Sequence, residues 1–189
     1  MAVQLSGWAH RYLEALCAQP RFSAARTVAP LWLANDSSLP AEPGAPIAAP
    51  LTIQMAAEIF PRLALIGPAG AGKTTTLRAL AIGLAEAFLS GNSRAAWGNA
   101  HAPLPLYIEL ARFQGSVEAT LATEFGVGDP PPLEELARER PLLFLLDGLD
   151  ELPPATQLTS LAALSQALVA TGAQTRWIST CRSEFLGLF

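Results

Sequence analysis

Lys73 is the only lysine of the chain, the other basic residues all being arginine, and it closes the stretch Gly67-Pro-Ala-Gly-Ala-Gly72-Lys73-Thr74. That stretch satisfies G-x-x-x-x-G-K-[ST], with an apolar run before it and an amphipathic pattern after it, which is the context in which the spacing binds phosphate. The residue types follow from the task. Glycine lets the backbone curl until successive N–H groups face phosphate oxygens, and a helix starting near Lys73 adds its positive dipole end. Lys73 then reaches the β- and γ-phosphates as a point charge, and the Thr74 hydroxyl can complete the coordination of Mg²⁺. The expected nucleotide-binding stretch is Gly67, Pro68, Ala69, Gly70, Ala71, Gly72, Lys73, Thr74 and Thr75, with Thr75 and Thr76 in the first turn of the helix. The competing reading is a glycine turn with a solvated lysine.

A second group of reactive side chains lies in Leu142-Leu-Phe-Leu-Leu-Asp147-Gly148-Leu149-Asp150-Glu151, where three carboxylates follow an unbroken apolar run. Open α/β sheets bind ligands outside the carboxyl ends of their strands, so the glycine loop and the acidic group should converge. Asp147 is the expected holder of Mg²⁺, directly or through water. Asp150 and Glu151 are candidates for polarising an attacking water. The competing reading is a solvated acidic turn that ends a strand.

These groups need a scaffold, and the pattern of the chain supplies one. Leu5, Trp8, Tyr12, Leu13 and Leu16 predict an opening amphipathic helix that ends before Pro20. Prolines 20, 30, 40, 43, 46 and 50 make the next stretch a linker or wrapping arm, with Thr27 to Leu33 as a short extended piece. After a helical stretch at Gln54 to Ile59, strands and helices alternate as in an α/β domain. Strands are expected at Leu63 to Ile66, Leu106 to Leu110, Leu142 to Leu146 and Trp177 to Thr180. Between them, helices are expected on Leu77, Leu80, Leu84 and Phe88, over Val117 to Phe125, from Asp129-Pro-Pro-Pro to about Arg140, and on Leu158, Leu161, Leu164 and Leu168. Leu142 to Leu146 reads as a central parallel strand covered on both faces.

Composition narrows the options. With 189 residues, 51% apolar and 15% charged against about 25% in an average domain, the chain has material for a sizeable core, which excludes disorder for most of it. A net charge of −4 leaves no polycationic face, so nucleic acid is not an expected partner. Cys17 and Cys181 are far apart and His10 and His101 stand alone, which yields neither a disulfide framework nor a metal-ligand spacing. The amino terminus lacks a cationic segment followed by an apolar one, so a cytoplasmic protein without a membrane span is expected.

A hydrophobic strand ending Asp147-Gly148-Leu149-Asp150-Glu151, with a small residue after the first aspartate and an acidic pair beyond, resembles the Walker B element of NACHT domains in the STAND class of signalling ATPases. Gly67 to Thr74 looks like their glycine loop. Pro103-Leu-Pro-Leu-Tyr-Ile-Glu-Leu-Ala-Arg-Phe113 resembles their strand after the first helix, and Trp177-Ile-Ser-Thr-Cys-Arg182 is similar to the strand that carries sensor 1. The resemblance runs from about Ile53 to the end. It implies a P-loop NTPase three-layer sandwich with a parallel sheet of order 1-4-3-2, the fifth strand of a 5-1-4-3-2 sheet being absent from the chain. Residues 1–50 would form the helix and proline-rich arm, and 51–189 the nucleotide-binding domain. Also implied are ATP and Mg²⁺, hydrolysis to ADP that controls oligomerisation or effector release, self-association through the full-length protein, and effector or sensor domains beyond this chain. Bacterial members are often implicated in defence. By the same resemblance Arg182 is a sensor that bonds the γ-phosphate, and Asp150 is favoured over Glu151 as the water-polarising residue. Against this, Arg182 could simply cap its strand and pair with Glu184, and Ser183 stands where the family commonly has proline. Without a fifth strand, Leu63 to Ile66 would lie at an edge, covered by the arm around Thr27 to Leu33 or left open because the chain is a fragment. A fragment would turn over ATP slowly.

Other phosphate-binding classes fit less well. A GTPase of the Ras type needs an Asn- or Thr-Lys-x-Asp motif, and no lysine remains for it. The transporter ATPase signature has only an imperfect counterpart, Leu89-Ser-Gly-Asn-Ser93, directly after the first helix. A small-molecule P-loop kinase usually carries an arginine-rich lid, and the segment between the second and third strands offers Arg112, Arg138 and Arg140. That kinase and a non-hydrolysing nucleotide-binding scaffold stay open as alternatives.

Overall fold

A computed structural model describes residues 7–27, 32–33, 51–92, 97, 102–172 and 174–188. Four strands, β1 (Arg62–Gly67), β2 (Leu104–Glu109), β3 (Leu142–Asp147) and β4 (Arg176–Arg182), pair in parallel in the order β1-β4-β3-β2. This is the expected α/β sheet of order 1-4-3-2. The helices are α1 (Gly7–Ala18), α2 (Pro20–Ser23), α3 (Ile53–Ile59), α4 (Lys73–Leu89), α5 (Val117–Phe125), α6 (Leu133–Glu139) and α7 (Gln157–Ala170).

Position in the sheet accounts for the sequence of each strand. Every residue of β3 is buried, because helices cover both faces of a central parallel strand. β2 holds Pro105, which is tolerated because β2 is an edge strand and does not need every N–H for a ladder. At its outer edge α1 supplies one partner: the Tyr107 N–H donates to the buried Tyr12 hydroxyl at 2.9 Å. β1 is the opposite edge, and Arg62, Ala64 and Ile66 along it are exposed. Among the described residues no strand pairs with that side of β1.

α1 and α2 share one core with the sheet. Trp8 stacks on Tyr12 at 5.2 Å, Tyr12 meets the edge of Phe125 at 4.8 Å, and Phe22 meets Tyr107 edge-on at 4.8 Å. Such pairs contribute about 0.5–1.5 kcal/mol each beyond the area they bury. Arg21 ties the same region together, donating to Glu109 at the end of β2 and to Glu124 on α5. Burial raises the Glu124 carboxyl above its ordinary range, and Arg21 opposes that rise.

Three expectations need correction. The helix expected from Asp129 begins at Leu133, because each proline in Pro130-Pro-Pro132 pushes the residue before it into extended backbone. The segment Thr27 to Leu33 is not one extended piece. Thr27 closes a 3-10 turn (Ala24–Thr27), while Trp32–Leu33 pairs antiparallel with Leu51–Thr52, and among the described residues neither of these pairs with β1. β2 starts at Leu104 and stops at Glu109, Leu110 opening a 3-10 turn. Leu5 and the proline-rich stretch 34–50 lie outside the described residues. Among the described residues no helix is long and apolar enough to cross a membrane.

Candidate functional site

Three strand ends meet at the carboxyl edge of the sheet. Gly67, the last residue of β1, lies opposite Arg182, the last of β4, and Asp147 ends β3 on the other side of β4. The glycine loop leaves β1 and turns into α4 at Gly72, whose φ of +83° is a left-handed conformation suited to glycine. Pro68, Ala69 and Gly70 are exposed, while Gly67, Ala71, Gly72, Lys73, Thr74 and Thr75 are half-buried. Lys73 Nζ donates to the carbonyl oxygens of Gly67 at 2.7 Å and Pro68 at 2.8 Å, folding over its own loop. Thr76 is buried within α4.

Asp147 is buried under this loop, with both carboxylate oxygens engaged. Oδ1 accepts from the hydroxyls of Thr74 at 3.0 Å and Thr180 at 2.7 Å, and Oδ2 accepts from the Tyr107 hydroxyl at 2.5 Å. Arg78 on α4 donates its Nε to the Tyr107 oxygen at 3.1 Å. Burial, and then the charge of Asp147, push the Tyr107 phenol far above its usual range, so it stays protonated as a donor. Burial opposes the charge on Arg78, but the Tyr107 oxygen and the Asp147 and Glu109 carboxylates outweigh it and raise the guanidinium.

Beyond β3 the backbone turns at Gly148, φ +81°, into a 3-10 turn (Leu149–Glu151). A Cβ at Gly148 would come within 2.9 Å of Glu151 Oε2. Arg182 faces this turn: its N–H donates to Asp150 Oδ1 at 3.1 Å and its Nε lies 3.0 Å from Asp150 Oδ2. Its other arm is 3.6 Å from Glu151 Oε1. Arg182 thus pairs with Asp150 and Glu151, not with Glu184. The Asp150 side chain is 8% exposed and that of Glu151 45%, so the second carboxylate is the more open to solvent.

A cavity of about 300 Å³ lies between the loop and this turn, bounded by Gly72, Lys73, Thr74, Asp150, Glu151 and Arg182. Oxygen donors of the kind a hard divalent cation prefers, Thr74 Oγ1 and Asp147 Oδ1, lie together beside it. Among the described residues no group of three or more His, Cys, Asp and Glu could hold a metal ion, so any ion there would take further ligands from phosphate and water. Burial pushes the thiols of Cys17 and Cys181 up from the ordinary cysteine range.

Every site residue named from the sequence lies on this edge of the sheet. Sequence reasoning missed Tyr107, Arg78 and Thr180, which complete the surroundings of Asp147. The sequence signal was slight: a polar tip inside the apolar run of β2, an arginine one turn after Thr74, and a hydroxyl near the end of β4.

A parallel sheet of this order, with a glycine loop between β1 and α4 and an aspartate ending β3, defines a P-loop NTPase. The model of the NACHT domain matches residues 62–187, from the first residue of β1 through the last strand, and the chain belongs to that family. It is therefore a nucleotide-binding P-loop NTPase domain. A comparison with curated protein sequences returned no match.

Proposed function

We propose that residues 51–189, preceded by the helix and proline-rich arm of residues 1–50, bind ATP with Mg²⁺ and hydrolyse it to ADP, and that the bound nucleotide controls oligomerisation or effector release in a cytoplasmic, defence-type signalling protein. The observation that carries this reading is the convergence of Lys73, Thr74 and the Arg182–Asp150–Glu151 group around one cavity, with Asp147 hydrogen-bonded to Thr74 behind it. Lys73 exchanges the carbonyls of Gly67 and Pro68 for phosphate oxygens, while the loop N–H groups and the start of α4 bind the remaining charge. Thr74 and Asp147 hold Mg²⁺, which when bound neutralises charge on the phosphate oxygens. Arg182 leaves Asp150 for the γ-phosphate, and the freed Asp150, or the more open Glu151, orients the attacking water. Effector or sensor domains beyond this chain would read out the exchange.

One observation favours a second reading. Asp150 is doubly engaged by Arg182, so a chain in which that pair never opens would bind nucleotide as a scaffold without hydrolysing it. Calorimetry with ATP and Mg²⁺, followed by phosphate release, separates the cases. Lys73→Ala is expected to abolish binding without unfolding the chain. Asp150→Asn and Glu151→Gln are expected to keep binding and slow release at least tenfold, the larger effect falling on Asp150, whereas equal release in both variants and the parent chain would remove hydrolysis. Transfer of phosphate to an added small-molecule acceptor, not to water, would point to a kinase.

A further inference from the structure

We propose that Tyr107 is a positioning residue for Asp147: it fixes one carboxylate oxygen so that the other stays turned toward Thr74 and a divalent cation. The inference rests on the reading above, in which Asp147 holds the metal.

Hydrogen-bond chemistry sets the direction of the contact. Arginine has donors and no acceptor, so where Arg78 Nε meets the Tyr107 oxygen at 3.1 Å, the oxygen accepts. An ionised carboxylate only accepts, so the single phenol proton goes to Asp147 Oδ2 at 2.5 Å. The hydroxyls of Thr74 and Thr180 both reach Oδ1. Aspartate is loosely held about its terminal torsion, which is broad and two-fold, and donors on both oxygens are what fix its plane. Tyr107 is itself held on several sides. It is fully buried, its ring meets Phe22 edge-on, and its N–H is held by Tyr12. It also stands between Arg78 and Asp147, keeping a guanidinium from pairing directly with the carboxylate and drawing it away from Thr74.

Partners of this kind typically change metal affinity ten- to a hundredfold when removed. The test measures the affinity of a fluorescent ATP analogue for the full chain in excess Mg²⁺ and in EDTA, with far-UV circular dichroism as the control for folding. Tyr107→Phe keeps the ring and loses one oxygen. Its ratio of Mg²⁺ to EDTA affinity is expected to fall about tenfold, with the EDTA affinity nearly unchanged. Should that variant fail to fold, Arg78→Gln decides, because the carboxamide oxygen competes for the phenol proton; there the ratio is expected to fall about threefold. An unchanged ratio in the folded variant, or an equal loss with and without Mg²⁺, would overturn the inference and leave Tyr107 a packing residue. If the parent chain shows no Mg²⁺ dependence, or Lys73→Ala binds undiminished, the metal-site reading itself fails and the inference with it.

Discussion

Lys73 already bonds two carbonyls of its own loop, so phosphate must replace acceptors that a compact ammonium can leave without rearranging its stem. Arginine at this position would present a planar fork in place of a point charge. Lys73→Arg is therefore expected to weaken ATP binding at least tenfold in calorimetry while leaving the thermal midpoint nearly unchanged. Gly148 makes a different demand, since a side chain there meets both a left-handed backbone and the Glu151 carboxylate. Gly148→Ala should cost about 1–2 kcal/mol in urea unfolding, from backbone strain alone. Residues of the loop and the acidic turn were legible in the sequence because their spacing is local. Tyr107, Arg78 and Thr180 were not, because they meet Asp147 only after β2, β3, β4 and α4 have assembled, and no spacing along the chain encodes that meeting.

At the scale of elements, periodicity located the strands and helices well, and its errors have physical causes. Three consecutive prolines delayed α6, and Trp32–Leu33 of the arm paired with Leu51–Thr52 just ahead of α3, a choice that depends on neighbours and not on composition. The role of α1 was the least legible. An amphipathic pattern predicts a buried face, yet nothing in it says that Tyr12 would accept from an edge strand. Tyr12→Phe removes that acceptor and leaves the buried Tyr107 N–H unsatisfied, which should cost about 1–3 kcal/mol in urea unfolding. Arg21→Met should cost more, about 3 kcal/mol, by stranding Glu124. The pH dependence has a definite sign. Burial raises the folded-state carboxyl of Glu124 above its unfolded value, so the protonated form suits the folded chain, and the stability that protonation supplies is lost as pH rises through the folded value. The deficit of Arg21→Met should therefore shrink between pH 8 and pH 5, as measured by unfolding across that range.

Across the whole molecule the two edges of the sheet differ. The edge of β2 gives its Tyr107 N–H to Tyr12 of α1, whereas the outer side of β1 has no strand partner among the described residues and displays Ile66, with Ile59 at the end of α3 and Phe60 just after it also exposed. An open apolar edge favours association. Ile66→Lys should reduce the concentration dependence of light scattering by the chain. The pairing of Gly67 with Arg182, and of Glu109 with Asp147, carries a further consequence for how such a sequence can change. Side chains alternate between sheet faces, so inserting or deleting one residue inside β4 would turn Arg182 to the far face and separate it from Asp150, whatever its effect on stability. Two residues would restore the face but move the guanidinium by about 6–7 Å along the strand. The connection at 126–132 is under no such constraint of parity. Length differences among descendants of this chain should accumulate there and be almost absent from the last turn of each strand before the nucleotide.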